Sequence, residues 1–178
     1  MGTPLDLGAR LPDKPPHGRE AVYKFAEFDP NHHIRSDGTL APMWEAAWIT
    51  RMGLPRPLPY LEGIEVTRVA VHRKVAPGLL KALIEIDRAG LWEFLAPYGG
   101  GFNFRRVRGG SALSMHSLGL ALDFAPDENP MGMDPNETKF GRSGEGRAVV
   151  RLLELYGWLW GGRFSRPDAM HFQYATGC

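Results

Sequence analysis

The chain has a single cysteine in 178 residues, Cys178, at its very end. It can form no internal disulfide, so the fold does not depend on an oxidising compartment, and Cys178 itself reads as an inert terminus. An excess of one charge is also missing: 21 basic and 20 acidic residues leave a formal net charge of +1, which argues against nucleic acid as the main partner. No apolar run approaches the length of a membrane span. The first twenty residues, MGTPLDLGARLPDKPPHGRE, hold charges and prolines where a secretory signal needs an apolar core. These absences describe a protein made in the cytoplasm without a signal peptide, expected to be a monomer, with no nucleic acid and no membrane span.

What is present reads as globular: 43% of residues are hydrophobic and five are Trp, and the length suits one domain with a real core. Residues 1–62 hold nine of the fifteen prolines, a density that favours extended or polyproline segments over regular elements. They are expected to form a proline-rich arm packed on a core of residues 63–178. Within the arm, residues 41–52 (APMWEAAWITRM) predict a helix with Pro42 in its first turn and Trp44 and Trp48 on one face. That pair suits either core packing or a substrate-stacking surface. His32 and His33, in DPNHHIRSDG, read as part of a solvated loop and not as ligands. Residues 66–72 (VTRVAVH) predict a strand. Pro77 opens a helix with Leu79, Leu80, Leu83, Ile84 and Ile86 inward and Gly90 at its end.

Gly99, Gly100 and Gly101 read as a flexible turn before an arginine-rich strand over residues 102–108, whose alternation separates Arg106 and Arg108 from Arg105. Residues 125–144 read as a long loop forming a wall of a cleft, with Asp127, Glu128, Asp134 and Glu137 solvated. Residues 145–156 (EGRAVVRLLELY) predict an amphipathic helix stopped by Gly157, and a terminal strand follows around Phe172 and Tyr174.

Two stretches concentrate the chemistry. In SMHSLGLALD (residues 114–123), a turn at Gly119 leads into an apolar strand over residues 120–124, and the lone Asp123 carboxylate inside it is costly unless a cation compensates it. Downstream, DAMHF (residues 168–172) adds His171 and a spare carboxylate, Asp168. His116, Asp123 and His171 form a two-histidine, one-carboxylate set with a fourth position open to water, the pattern of hydrolytic zinc sites. The same residues also suit hydrogen-bonded core histidines, and composition and spacing alone leave both readings standing.

Ser-x-His-x-x-Gly-x-Ala-x-Asp followed by Asp-x-x-His-Phe resembles the M15 family of zinc peptidases: the D-alanyl-D-alanine carboxypeptidases, VanX- and VanY-type enzymes and L-alanyl-D-glutamate endopeptidases of phage endolysins. The likeness extends to FNFRRVRG (residues 102–109), to Asp123-Phe124-Ala125-Pro126 with Asn129-Pro130, and to GWLWGG (residues 157–162). It covers residues 64–175, and residues 1–60 share nothing with it. The resemblance implies an α+β fold, a small antiparallel sheet with flanking helices as in the hedgehog and D-Ala-D-Ala-peptidase zinc proteins. It implies Zn2+ on His116, Asp123 and His171, activating a water, with Asp168 as general base. Arg105 is expected to face the substrate or oxyanion, and Ser114 to bind substrate or orient the ligand loop.

The implied partner is the peptidoglycan stem peptide, and Asp in place of the commoner Glu at position 168 tilts toward the L-alanyl-D-glutamate bond, with D-alanyl-D-alanine as the alternative. Lacking a signal, such an enzyme is expected to reach the cell wall after holin-type release from a phage-infected host. A non-catalytic zinc-containing binding module, as in the hedgehog domain, or a phage structural protein is the reading from another class.

Overall fold

The computed structural model describes residues 14–60 and 63–178; the expectations for residues 1–13 lie outside them. The architecture is α+β, with helices packed around two antiparallel sheets.

The proline-rich segment departs from expectation. Its described part carries α1 (Arg19–Phe25), α2 (Pro30–His33), α3 (Pro42–Trp48) and the eleven-residue β1 (Ile49–Pro59). Prolines are placed where they cost little: Pro30 and Pro42 sit in first helical turns, and the register of β1 shifts between Gly53 and Leu58, the interval holding Pro55 and Pro57. A proline has no N–H to give a ladder, so a bulge tolerates it. His32 and His33 are helical and not in a loop; Asp29 caps that turn by accepting from Asn31 N–H at 2.9 Å. The α3 helix ends at Trp48, so residues 49–52 are strand where a helix was expected. Trp44 is buried, and Trp48 stacks on His72 at 5.5 Å, so the Trp pair packs on the core.

β1 pairs with β2 (Glu65–His72), and the chain then enters α4 (Ala76–Arg88). Leu79, Ala82, Leu83 and Ile86 of α4 are fully buried at helical spacing, each large one stabilising the fold by roughly 1.5–3 kcal/mol. The glycines expected to form a turn instead contribute to β3 (Tyr98–Gly100), which pairs with β4 (Ala121–Phe124). Residues 102–108 form no strand beyond an isolated bridge between Arg106 and Leu113. The expected long loop is interrupted by a short 3-10 turn (Pro126–Glu128) and by α5 (Lys139–Arg142). Glu128 is not simply solvated, since it pairs with Lys139 at 3.0 Å and Arg142 at 2.6 Å.

Ser143 caps α6 (Gly144–Leu155), its hydroxyl accepting from Gly146 N–H at 2.9 Å. β5 (Leu159–Trp160) and β6 (His171–Gln173) complete a four-stranded sheet in the order β3-β4-β6-β5. Phe124, Phe140 and Phe172 meet edge to face beneath this sheet, filling the layer between it and the helices.

Candidate metal centre and cleft

The two interior strands place two of the three candidate ligands directly. Asp123 on β4 and His171 on β6 are register partners, and cross-strand partners present side chains to one face at about 5 Å. His116 arrives from a 3-10 helix (Met115–Leu118) that ends at Gly119 with φ 65°. A Cβ at Gly119 would meet His72 N at 2.6 Å, so only glycine turns the ligand loop into β4 this close to β2.

His116 Nε2 lies 3.3 Å from Asp123 Oδ2, His171 Nδ1 lies 3.0 Å from Asp123 Oδ1, and the two ring nitrogens are 3.2 Å apart. Four ligands around zinc at about 2.0–2.1 Å stand roughly 3.3 Å from one another in a tetrahedron, so these spacings fit an ion of that size. Among the described residues this is the one cluster of three or more His, Cys, Asp or Glu side chains arranged to hold a metal.

The outer hydrogen bonds sharpen the case. His116 Nδ1–H donates to the Gly101 carbonyl at 2.8 Å. Gln173 donates its amide N–H to the Ala175 carbonyl at 3.1 Å, which turns its Oε1 toward His171 Nε2 at 3.1 Å. His171 Nε2 must then be the protonated nitrogen. Both imidazoles therefore aim lone pairs, together with the Asp123 carboxylate, at one point, an arrangement that calls for a cation. In its absence a proton serves. Burial pulls the His171 pKa down, but the hydrogen bond and charge of Asp123 outweigh it and hold it above the usual histidine value. Burial likewise pushes Asp123 up, yet its hydrogen bonds to His116 and His171 keep its carboxyl well below the ordinary range.

Asp168 stands beside this cluster. Its N–H donates to the Gly161 carbonyl at 3.0 Å, its own carbonyl accepts from His171 N–H at 3.0 Å, and a Cβ at Gly161 would meet the Asp168 carbonyl oxygen at 2.4 Å. The second glycine-pinned approach thus fixes the Asp168 backbone against the last ligand. Asp168 Oδ1 is buried with no hydrogen-bond partner among the described residues. Burial raises its pKa and the nearby Asp123 charge adds to the rise, against the pull of His171, His116 and Arg105.

A cleft of about 620 Å³ opens over the centre, bordered by Arg105, Ser114, His116, Asp123, Asp168 and His171 among others. The structure therefore brings all six sequence-predicted site residues to one cavity. Arg105 reaches it from a loop and not a strand: its N–H donates to Ser117 Oγ at 2.8 Å, and its carbonyl accepts from Ser114 N–H at 3.1 Å. Ser114 caps the 3-10 helix, its Oγ accepting from His116 N–H at 3.3 Å.

With no strand there, alternation does not separate the arginines as expected. Arg108 borders the cavity with Arg105, while Arg106 turns away to donate to the Ser111 carbonyl. Of the loop expected to wall the cleft, only Met131 borders it. Sequence reasoning missed Gln173, Ser117, Arg19 and Arg166, because each acts through contacts between distant segments.

The fold and the centre define an α+β protein with a buried two-histidine, one-carboxylate set at the floor of a cleft. Residues 108–174 match the M15 peptidase family model described as D-alanyl-D-alanine carboxypeptidase. That segment, less than half of the chain, carries all three candidate ligands and Asp168, and the match supports an M15 family peptidase, a hydrolase; Arg105 lies just before it. A separate 49-residue likeness, 45% identical, links the chain to the aspartate/glutamate leucyltransferases of Stenotrophomonas maltophilia strains K279a and R551-3, covering 28% of this chain and 19% of each relative. The chain thus spans about a fifth of the length of those curated relatives. No solved structure matches. No helix among the described residues is long and apolar enough to cross a membrane.

Proposed function

We propose that the chain is a zinc-dependent peptidoglycan peptidase that cleaves the L-alanyl-D-glutamate bond of the stem peptide, with D-alanyl-D-alanine carboxypeptidase activity as the alternative within the family. The observation that carries this reading is the convergence of three lone-pair donors beside the Asp168 carboxylate, whose buried Oδ1 has no hydrogen-bond partner among the described residues, on the floor of a peptide-sized cleft. A purely structural metal site has no use for that carboxylate, which favours an enzyme over a binding module.

His116, Asp123 and His171 would hold the zinc, which when bound supplies a Lewis acid to the scissile carbonyl and acidifies a water. Asp168 takes the proton from the attacking water and returns it to the departing amine as the C–N bond breaks. Its raised pKa suits both transfers. Arg105 holds the negative charge that grows on the carbonyl oxygen, or a carboxylate of the substrate, with its fork of donors. Ser114 keeps His116 on its 3-10 helix. The leucyltransferase likeness brings no second reading, since 49 residues are fewer than a catalytic domain needs.

Purified protein is incubated with peptidoglycan, with and without chelator, and the muropeptides are read by mass spectrometry. Chelator-sensitive cleavage between L-alanine and D-glutamate is expected. Release of terminal D-alanine alone selects the carboxypeptidase, and an undigested wall with zinc bound removes the enzyme.

A further inference from the structure

Four arginines border the cleft, Arg19, Arg105, Arg108 and Arg166, against two acidic side chains, Asp123 and Asp168, and the chain's last residue, Cys178. The chain as a whole is nearly neutral at +1, so this excess is a local property of the cavity. Elsewhere, Arg56, Arg142 and Arg163 sit in ion pairs with acidic neighbours, while Arg51, Arg88 and Arg151 make none among the described residues. In the cleft, Arg108 and Arg166 make no hydrogen bond or ion pair among the described residues. Arg19 spends one nitrogen on the Leu113 carbonyl, at 2.6 Å, and is left with further donors at the cavity edge. Once a divalent ion offsets Asp123, the four arginines of the cavity face one remaining acidic side chain, Asp168, and the carboxylate of Cys178.

We propose that the cleft selects a peptide carrying a free carboxylate away from the reacting bond, held by Arg108, Arg166 and Arg19 and distinct from the group that meets Arg105. The peptide part of this inference rests on the function proposed above. Arg19 belongs to α1, before the segment that matches the peptidase family, so residues outside that segment help decide which substrates fit. Planar guanidinium forks match carboxylates in geometry as well as charge. Val107, Met131 and Phe164 border the same cavity and offer apolar surface to the aliphatic part of such a peptide.

The test uses two stem peptides identical except for one glutamate carboxylate, free in one and converted to the primary amide in the other. Binding is measured by calorimetry on the zinc-loaded full chain in an Asp168→Asn background that suppresses turnover, and cleavage on the otherwise unaltered chain. The acid should bind roughly ten- to a hundredfold more tightly than the amide, with the same ratio in kcat/KM arising through KM and shrinking as salt is raised. Arg108→Gln and Arg166→Gln remove no hydrogen bond or ion pair among the described residues, so both should fold and keep zinc. Each should cut the acid-to-amide ratio to a few-fold, and together they should bring it near one.

A ratio near one in the unaltered cleft, or one that survives the double substitution, overturns the proposal, as does failure of the acid to bind. If the acid binds preferentially through the arginines yet neither peptide is cut, the carboxylate site stands and the peptidase reading falls. If both are cut at equal rates, the peptidase stands and this site falls.

Discussion

Replacing Gln173 by leucine removes the acceptor that fixes the tautomer of His171 while conserving side-chain size. Gln173 accepts from His171 Nε2–H and is itself oriented by its donation to Ala175. His171 is 8% exposed, so water cannot easily replace the lost partner. A buried N–H left without an acceptor costs roughly 1–3 kcal/mol. The ring can escape by moving its proton to Nδ1, but that places hydrogen where a ligand lone pair must be. Loss of such an outer partner typically weakens metal binding ten- to a hundredfold, about 1.4–2.7 kcal/mol.

Zinc affinity measured by competition with a chromophoric chelator should fall by that factor, and the zinc-dependent rise in melting temperature should shrink with it. Melting the zinc-free forms separates this effect from any loss of packing. Gln173→Glu retains an acceptor toward Nε2–H and should bind zinc within tenfold of the parent. A Gln173→Leu protein that folds and binds zinc within twofold of the parent would refute the tautomer argument.

Two further predictions follow from residues around and away from the centre. Asp168→Ala should keep zinc and lose on the order of 10²–10⁴-fold in turnover, and Asp123→Ala should lose zinc first; zinc content measured beside rate tells them apart, and near-parental turnover in Asp168→Ala removes the base from the mechanism. His72 is fully buried against Trp44, Trp48 and Phe25, and burial lowers its pKa to about 4; the unfolded chain therefore binds the extra proton between about pH 6.5 and 4, stability falls as pH drops through that window, and about 3 kcal/mol is lost by its lower end. His72→Gln, which does not titrate, should flatten that part of the urea-unfolding profile, and parallel profiles would show that another group is responsible.

The legible part of this protein was the part whose signals are local. Residues 66–72, the helix from Pro77 and the helix ending at Gly157 fall where periodicity and punctuation put them, because an amphipathic stripe and a terminal glycine act over a few residues. The three positions that cluster as candidate ligands were legible because a carboxylate inside an apolar strand is conspicuous and the flanking motif is distinctive. The failures share a cause. Gly99 and Gly100 look like turn residues, yet both lie in β3: Gly100 pairs with Asp123, and Gly99 occupies the register shift beside it, where a Cβ would stand 3.0 Å from the Asp123 Cβ. Pro55 and Pro57 argue against a strand until the bulge that excuses them is seen. Residues 102–108 alternate as a strand should, but Ser117 captures both backbone polar groups of Arg105, so no ladder forms.

The three candidate ligands are not held alike. Asp123 and His171 sit on the two interior strands of the four-stranded sheet, paired with each other and backed by Phe172 at full burial. Neither can shift without breaking ladder bonds or opening a void in the core. His116 instead sits on a single 3-10 turn, secured by Ser114 at one end, Gly119 at the other and the Gly101 carbonyl at its ring. The residue before that turn's cap, Leu113, is held by Arg19, and the turn's own Ser117 holds Arg105. Arg19 and Arg105, at the cavity edge, are thus tied to the turn that carries His116, the one candidate ligand outside the sheet. On the function proposed above, a peptide drawing on Arg19 and Arg105 would act on the loop that positions His116, joining binding to the geometry of the candidate metal centre through a few hydrogen bonds rather than through the sheet.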